Sequence, residues 1–563
     1  MQLPECDTNQ MRKDAGQPAA GISTGASIVT RMRANLRISG NFWLLLGFSV
    51  FYFVDVCIRA SQKYFWYDEL FTVYLSRLPD FQSLWNALRH GADFNPPLLY
   101  LLTRISQAIF GAGLIGTRVP EIIGFWVMCL CLFQFVNRRV GRLGGSIAMA
   151  LPMLTGAFYY SYEARPYGAI LGFCGLALVC WQKASHSPRR SWWLTGLSLS
   201  LFAAFMLQCY ALIIVAPFAL TEALRTARSR RIDWPMWAAL IAPVVVAVPT
   251  YIPLLQVYSA QAKGTSYAHA FAADWSQVTT FYLFLLTPWL LIALAAVVLL
   301  AIDRIWNLRG ENRRGEDAGS DAVSEIALMV CLMALPVFGV ILGKTVHGPI
   351  FVRYFLPATV GVCALTGLAA GARTRAKWVA AALAVIIAGA LGLQFARLLW
   401  HVHKGWGEPL SEPTTGIALD TTRGQPLDIH PLLASQAGGS LSNGSLPIGV
   451  PLALDFLYLV HYSPELAPRL YLINPSADDF TIRGFRRVYK WIPVKYDHLL
   501  TDREFLRLSP HSLIYCDALS IRSLFGLVKE GVTIQSVKES GRHYLAEIRA
   551  EPVQISSQRT AGQ

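Results

Sequence analysis

Residues 41–58 read NFWLLLGFSVFYFVDVCI, and within ten residues the chain reaches Trp66-Tyr67-Asp68-Glu69. The first stretch is long enough to cross about 30 Å of hydrocarbon, which takes roughly 17–25 helical residues. Ten further apolar runs follow, at about 119–136, 144–161, 167–183, 192–208, 210–224, 236–256, 279–302, 325–343, 350–371 and 378–398. Over all 563 residues, 54% are hydrophobic and only 15% are charged. A soluble domain carries about 25% charged residues, so a purely soluble enzyme is excluded. The ten cysteines are sparse and most lie inside apolar runs, where they act as small buried hydrophobes and not as a disulfide framework. The chain reads as an all-α polytopic membrane protein of about eleven transmembrane helices.

Charge sets the expected orientation. Eleven spans place the two ends on opposite sides, and the tail 1–40 carries Arg12, Lys13, Arg31, Arg33 and Arg37, so it is expected in the cytoplasm. The inner loops then hold seventeen basic residues, grouped near positions 138–142, 183–190, 225–231, 304–314 and 373–377. The four short outer loops hold three: Arg165, Lys263 and Lys344. Residues 97–110 are apolar too, but they are short and contain Arg104. Counting them as a span would move Arg138, Arg139 and Arg142 outside, so they are read as a helix lying at the interface. The net charge of +14 thus reports orientation and anionic membrane lipid, and no base-reading motif calls for nucleic acid. No signal peptide is read at the N-terminus, and the first span serves as the insertion signal.

Within this plan, 41–398 is the membrane domain, with a long outer loop at 59–118. Residues 399–447, rich in Pro, Gly, Ser and Thr from about 408, read as a linker. Residues 448–563 read as an extracytoplasmic small α/β domain, with short apolar strands alternating with helical stretches. The sequon Asn443-Gly444-Ser445 falls in the linker, where a chance match is the plainer account.

Chemistry in such a protein gathers where polar residues sit at span ends. Asp68 and Glu69 lie between aromatic residues, Tyr67 among them, and suit a general base with an electrostatic partner or, equally, an acidic solvated turn. Asn95 precedes Pro96-Pro97, a rigid helix entry, and faces the same outer side. Tyr159 to Tyr167 (YYSYEARPY) places Glu163 and Arg165 in a tight turn. The two either pair to anchor a helix hairpin or bring a second carboxylate toward Asp68. Lys344, His347, Arg353 and Tyr354 cluster at the start of the tenth span. An arginine one turn below the surface either snorkels to headgroups or meets a lipid-borne phosphate. His269, in the outer loop 257–277, is a weaker substrate contact that reads first as structural. No Walker, GxGxxG, HExxH or CxxC motif is present, so the energy for any transfer is expected from a gradient or an activated substrate.

WYDE after the first span, NPP before an amphipathic stretch and YSYEARPYG after the third span together resemble the glycosyltransferase C (GT-C) superfamily. The subgroup most resembled is the bacterial dolichyl-phosphate-mannose-protein-mannosyltransferase-like proteins, relatives of the lipid A aminoarabinose transferases. The likeness is strongest over residues 40–185 and extends more weakly to Arg353-Tyr354. It implies an outward catalytic cavity and a polyprenyl-phosphate-linked sugar as donor, with a lipid, glycan or protein acceptor. By this resemblance Asp68 is the catalytic acidic residue, Glu69 its weaker neighbour and Glu163 the second acidic position. Arg165 is implied at the donor phosphate or paired with Glu163, and Arg353, Lys344 and Tyr354 near the lipid phosphate. Tyr67, Asn95, Tyr167, His269 and His347 complete the expected substrate-binding set. Asn95 stands where the superfamily often has His. No cofactor is expected; some members use a divalent metal, but without an Asp-x-Asp pair it is not expected to be obligatory. The resemblance also places the chain in a bacterial inner membrane. The alternative is a transporter or flippase for a lipid-linked substrate, which calls for mid-membrane charges and paired repeats that are not read here.

Overall fold

The computed structural model describes residues 24–262, 273–286, 316–346, 351–371, 377–405, 429–434, 446–474, 490–492, 496–517, 520–529, 531–540 and 543–550. The chain divides into two compact units, Met1–Tyr52 and Phe53–Gln563. In the first, the long helix that begins at Thr24 turns strongly apolar from Gly40. Phe42, Trp43, Leu46 and Val50 stand exposed on it, as side chains facing lipid do.

Six helices among the described residues are long and apolar enough to span a membrane, or seven if one bent pair counts as a single span. They establish a multi-pass membrane protein. The run 192–208 is the continuous helix Arg190–Leu207, and several other apolar runs take broken or shorter forms among the described residues. The run at 144–161 is the helix Arg142–Ala150 followed by the 3-10 segments Leu151–Leu154 and Gly156–Tyr162. Pro152 stands at the break and supplies no amide for an α-turn. The run at 325–343 is the bent pair Ala322–Met333 and Leu335–Thr345, 51° apart, with Pro336 at the start of the second piece. The run at 350–371 opens on the 3-10 turn Val352–Phe355, and its α-helix begins only after Pro357, at Ala358. The run at 279–302 is helical over Ser276–Leu286 and then leaves the described residues. Residues 97–110 form the helix Leu98–Phe110, too short to span.

Leu114–Val140 and Tyr167–Ala184 run side by side in the same direction, and small residues bring them into contact. A Cβ added to Gly124 would lie 2.4 Å from the Ala169 Cα, and one added to Gly172 would lie 2.5 Å from the Gly124 carbonyl oxygen. Gly168 and Gly172 have the four-residue spacing that lets helix backbones touch. This contact lets the buried Glu121 carboxylate accept from the Ala169 amide at 2.7 Å, satisfying a first-turn N–H of the second helix. At the far ends of these helices Arg139 holds Glu325 through two hydrogen bonds, and Gln182 donates to the same carboxylate.

The C-terminal part carries a six-stranded sheet. Its strands are β1 (Ile448–Val450), β2 (Leu470–Asn474), β3 (Leu499–Thr501), β4 (His511–Asp517), β5 (Val532–Ser540) and β6 (His543–Ala550), ordered β3-β2-β1-β4-β6-β5. The first four are mutually parallel, while β6 is antiparallel to both β4 and β5. A parallel sheet is covered on both faces, and β4 is accordingly buried along almost its whole length. One face packs Ile473, Leu500, Phe505, Ile514 and Leu524. The other joins Ile448, Phe456, Leu459 and Tyr515 in one core with Phe65, Trp66, Leu70, Phe71 and Val73, from just after the first apolar helix. The stretch 399–447 is more than a spacer: the short helix His430–Ala434 lies in it, and Ile429 and Leu432 enter this same core.

Candidate active site

The site is built on the helix Tyr67–Ser76. Its N-terminus follows extended backbone at Trp66, and the Glu69 carboxylate reaches back to accept from the Trp66 amide at 3.3 Å, half of a capping box. Asp68 and Glu69, adjacent in the first turn, point into different surroundings.

Glu69 is fully buried. Its oxygens accept from Arg118 Nε at 2.8 Å and Nη2 at 2.9 Å and from the Ala164 amide at 2.6 Å, with Lys63 Nζ at 3.4 Å. Arg118 also donates to the carbonyls of Ala60, Lys63 and Tyr64, so one buried guanidinium ties the end of the first span to the helix. Glu163 accepts from Trp66 Nε1 at 3.0 Å and lies 3.8 Å from Lys63 Nζ, which in turn sits 4.4 Å over the Tyr159 ring. Two cations and two carboxylates thus balance inside the protein, as buried charges must. Burial pushes the Glu69 carboxyl up, but Arg118 and Lys63 outweigh it and hold it below the usual carboxylate range.

Asp68 keeps 22% of its side chain exposed and meets Arg353 Nη2 at 3.3 Å, while Arg353 itself is only 10% exposed. The guanidinium lies 4.7 Å from the Phe351 ring centre and 5.9 Å from that of Tyr167. Arg165 donates from Nη1 to the Asp68 carbonyl at 3.2 Å and to Asp93 Oδ2 at 2.8 Å. Asp93 also accepts from the Tyr100 hydroxyl at 2.8 Å, the Asn95 amide group at 3.4 Å and the Phe94 backbone at 2.7 Å. Burial raises the Asp93 carboxyl, yet the Arg165 charge and these donors bring it below its ordinary value. A second wall is aromatic: Tyr354 stacks on Tyr210 with ring centres 4.1 Å apart.

The structure therefore brings together Asp68, Glu69, Asn95, Glu163, Arg165, Tyr167, Arg353 and Tyr354 from segments nearly three hundred residues apart in sequence. It sorts them as well. The Glu163 and Arg165 side chains take different partners, Lys63 and Trp66 for the first and Asp93 for the second. Tyr67 turns the other way, its ring edge-on to Phe71 and packed on the C-terminal core. Lys344 is exposed, 5.9 Å over the Trp275 ring. His269 and His347 lie outside the described residues. Among the described residues no three His, Cys, Asp or Glu side chains converge as metal ligands would.

Four members of the cluster are absent from the motif reading: Lys63, Asp93, Arg118 and Glu121. Glu121, a carboxylate inside an apolar run, carries the signal of an intramembrane charge, and Arg118 sits one residue before that run. Lys63 and Asp93 read as ordinary loop charges, and nothing in their spacing marks them.

A structural comparison places the fold among known proteins. ArnT from Cupriavidus metallidurans in the apo state superposes with a TM-score of 0.53 at 14% identity, covering 91% of this chain and 98% of that one. The fold is that of the GT-C glycosyltransferases. The structure of the same ArnT bound to undecaprenyl phosphate matches this chain at 15% identity with a TM-score of 0.50, over 90% and 98% of the two chains. Residues 95–252 match the family model of dolichyl-phosphate-mannose-protein mannosyltransferase. Among curated proteins no sequence matches it.

Proposed function

We propose that this chain is a membrane glycosyltransferase that moves a sugar from a polyprenyl-phosphate donor to an acceptor hydroxyl. The observation that carries the reading is the Asp68–Arg353 pair: a partly exposed carboxylate 3.3 Å from a nearly buried guanidinium, in the 3-10 turn that precedes the apolar helix Ala358–Gly371. A transfer at an anomeric carbon asks for both. Asp68 accepts the proton of the acceptor hydroxyl as its oxygen bonds to the anomeric carbon. The bond from that carbon to the phosphate oxygen breaks, and its electron pair stays on the phosphate, where Arg353 neutralises it. The proton on Asp68 then leaves to solvent. With the leaving group already anionic, one carboxylate and one cation suffice, unlike the two-carboxylate arrangement of glycoside hydrolysis.

The remaining residues support this pair. Arg165, neutralised by Asp93, holds the Asp68 backbone and is assigned to positioning and not to the donor phosphate. Glu69 and Glu163, engaged in the buried ion cluster, hold the helix and do not touch substrate. Tyr167, 5.9 Å from the Arg353 guanidinium, and Tyr354 and Asn95 beside the pair are assigned to substrate contact, and Lys344 is given no role. The step needs no cofactor from the residues described. The match of residues 95–252 to the mannosyltransferase model and the undecaprenyl phosphate in the ArnT structure support a lipid-phosphate donor. We place the chain in a bacterial inner membrane on the strength of the resemblance, and its N-terminus in the cytoplasm on that of its loop charges.

Native mass spectrometry of the purified protein against a panel of polyprenyl-phosphate sugars tests the reading, followed by turnover of the retained donor with candidate acceptors. Wild type is expected to retain one lipid-sugar, Arg353→Ala to lose it, and Asp68→Asn to retain it but to transfer at least 100-fold more slowly, the order of general-base losses. Transfer at the wild-type rate by Asp68→Asn, or no donor retained by the wild type, overturns it.

A further inference from the structure

We infer that the C-terminal domain positions the catalytic carboxylate, through Tyr462 and His461 at the end of one of its helices. The inference rests on the role proposed for Asp68. The helix Ala453–Tyr462 follows β1 and packs directly on Tyr67–Ser76. Its last two residues grip that helix at both ends. The Tyr462 hydroxyl accepts from the Phe65 amide at 2.6 Å, three residues before Asp68, and the Tyr462 ring stands edge-on to Tyr64 at 5.4 Å. Two residues short of the opposite end, the Tyr74 hydroxyl and His461 Nδ1 share a hydrogen bond of 2.8 Å. Both contacts join residues almost four hundred positions apart.

Their placement gives them a function beyond packing. The face made by Tyr67, Leu70, Phe71 and Tyr74 turns to the C-terminal domain, while Asp68 turns to Arg353 and Arg165. The helix has ten residues and is too short to hold its place alone. The buried ion cluster secures its first turn through Glu69, Arg104 donates to the Ser76 carbonyl at its last residue, and from the C-terminal domain Tyr462 and His461 add the two hydrogen bonds just described. A reacting carboxylate must be kept within a fraction of an ångström of its productive position. A rotation of the helix about the Glu69 anchor would carry Asp68 away from Arg353, and the two tyrosine hydroxyls oppose it.

The test uses the full chain in lipid nanodiscs, with Tyr462→Phe, Tyr74→Phe and the double variant, which keep the rings and remove the hydroxyls. Three quantities are read: turnover, retention of the donor by native mass spectrometry, and amide hydrogen exchange over residues 64–76. The double variant is expected to lose about tenfold in turnover, with donor retention and melting temperature unchanged and exchange at Phe65 to Thr72 faster. Unchanged turnover and exchange overturn the inference. An equal fall in donor retention, turnover and melting temperature also overturns it, because it marks a hinge of general stability. If the wild type transfers nothing, the reading of the site fails, and exchange over 64–76 still decides whether the two hydroxyls hold the helix.

Discussion

Asp68 and Glu69 show how far environment can separate two neighbouring carboxylates. A period of 3.6 residues turns consecutive side chains about 100° apart, so one reaches Arg353 at a partly exposed position and the other the protein interior. Asp68 keeps solvent and a single cation; Glu69 gives both oxygens to Arg118 and one to the Ala164 amide. Removing one partner of a buried ion pair strands the other, which costs about 3–5 kcal/mol. Glu69→Ala is therefore expected to lower thermal stability by that order, since Arg118 and Lys63 remain buried without it. A melting temperature within about 1 °C of wild type in the same detergent, roughly 1 kcal/mol at this size, would show that water reaches the cluster. The residue types of the site were legible in sequence; their division of labour was not. WYDE marked the pair, but Arg118 and Lys63, which distinguish its two members, reach it only through packing.

The crossing of Leu114–Val140 with Tyr167–Ala184 depends on glycine for space. Gly172 has backbone of the other helix 2.5 Å from where a Cβ would stand, and Gly124 meets the Ala169 backbone as closely. Neither neighbour is a side chain that can swing aside. Gly172→Val is expected to force the helices apart, break the 2.7 Å bond from Ala169 to Glu121 and yield protein that inserts but aggregates on extraction. Size-exclusion profiles in mild detergent decide this, and a monodisperse peak of wild-type melting temperature would count against it. Apolar length identified these helices correctly. It could not show that the run 144–161 returns as α-helix plus 3-10 turns, or that 325–343 bends by 51°. Hydropathy counts apolar side chains, whereas a break depends on Pro152 or Pro336 and on neighbours that take up the freed carbonyls.

Across the whole molecule, loop charge and domain contact yield two expectations. If the basic loops face the cytoplasm, Ser229→Cys labels with a membrane-impermeant maleimide only after permeabilisation, while Ser540→Cys on β5 labels in intact cells; both positions are exposed. The reverse pattern would invert the orientation. The second concerns pH. Burial, with Arg77 nearby, lowers His461 to about 4, while burial raises the Tyr74 hydroxyl facing it to about 12. Between about pH 6.5 and pH 4 the unfolded chain binds a proton that folded His461 refuses, so stability falls as pH falls through this window. Asp455, on the same helix and pushed up by burial and by Asp517, acts in the opposite sense. The difference between wild type and His461→Gln isolates the histidine: wild type is expected to lose more melting temperature between pH 7 and pH 5. Equal losses would mean that His461 is solvated and charged there. The membrane class, the apolar helices, the candidate carboxylate and the α/β character of the C-terminal part follow from the sequence by itself, because hydrophobic length, charge bias and short motifs are local properties. The pairing of Asp68 with Arg353, the neutral burial of Lys63, Glu69, Arg118 and Glu163, and the seating of the C-terminal domain on the helix Tyr67–Ser76 were decided only by tertiary structure. Each joins side chains scores to hundreds of residues apart, and the energy of a buried charge depends on which partners packing brings within about 4 Å.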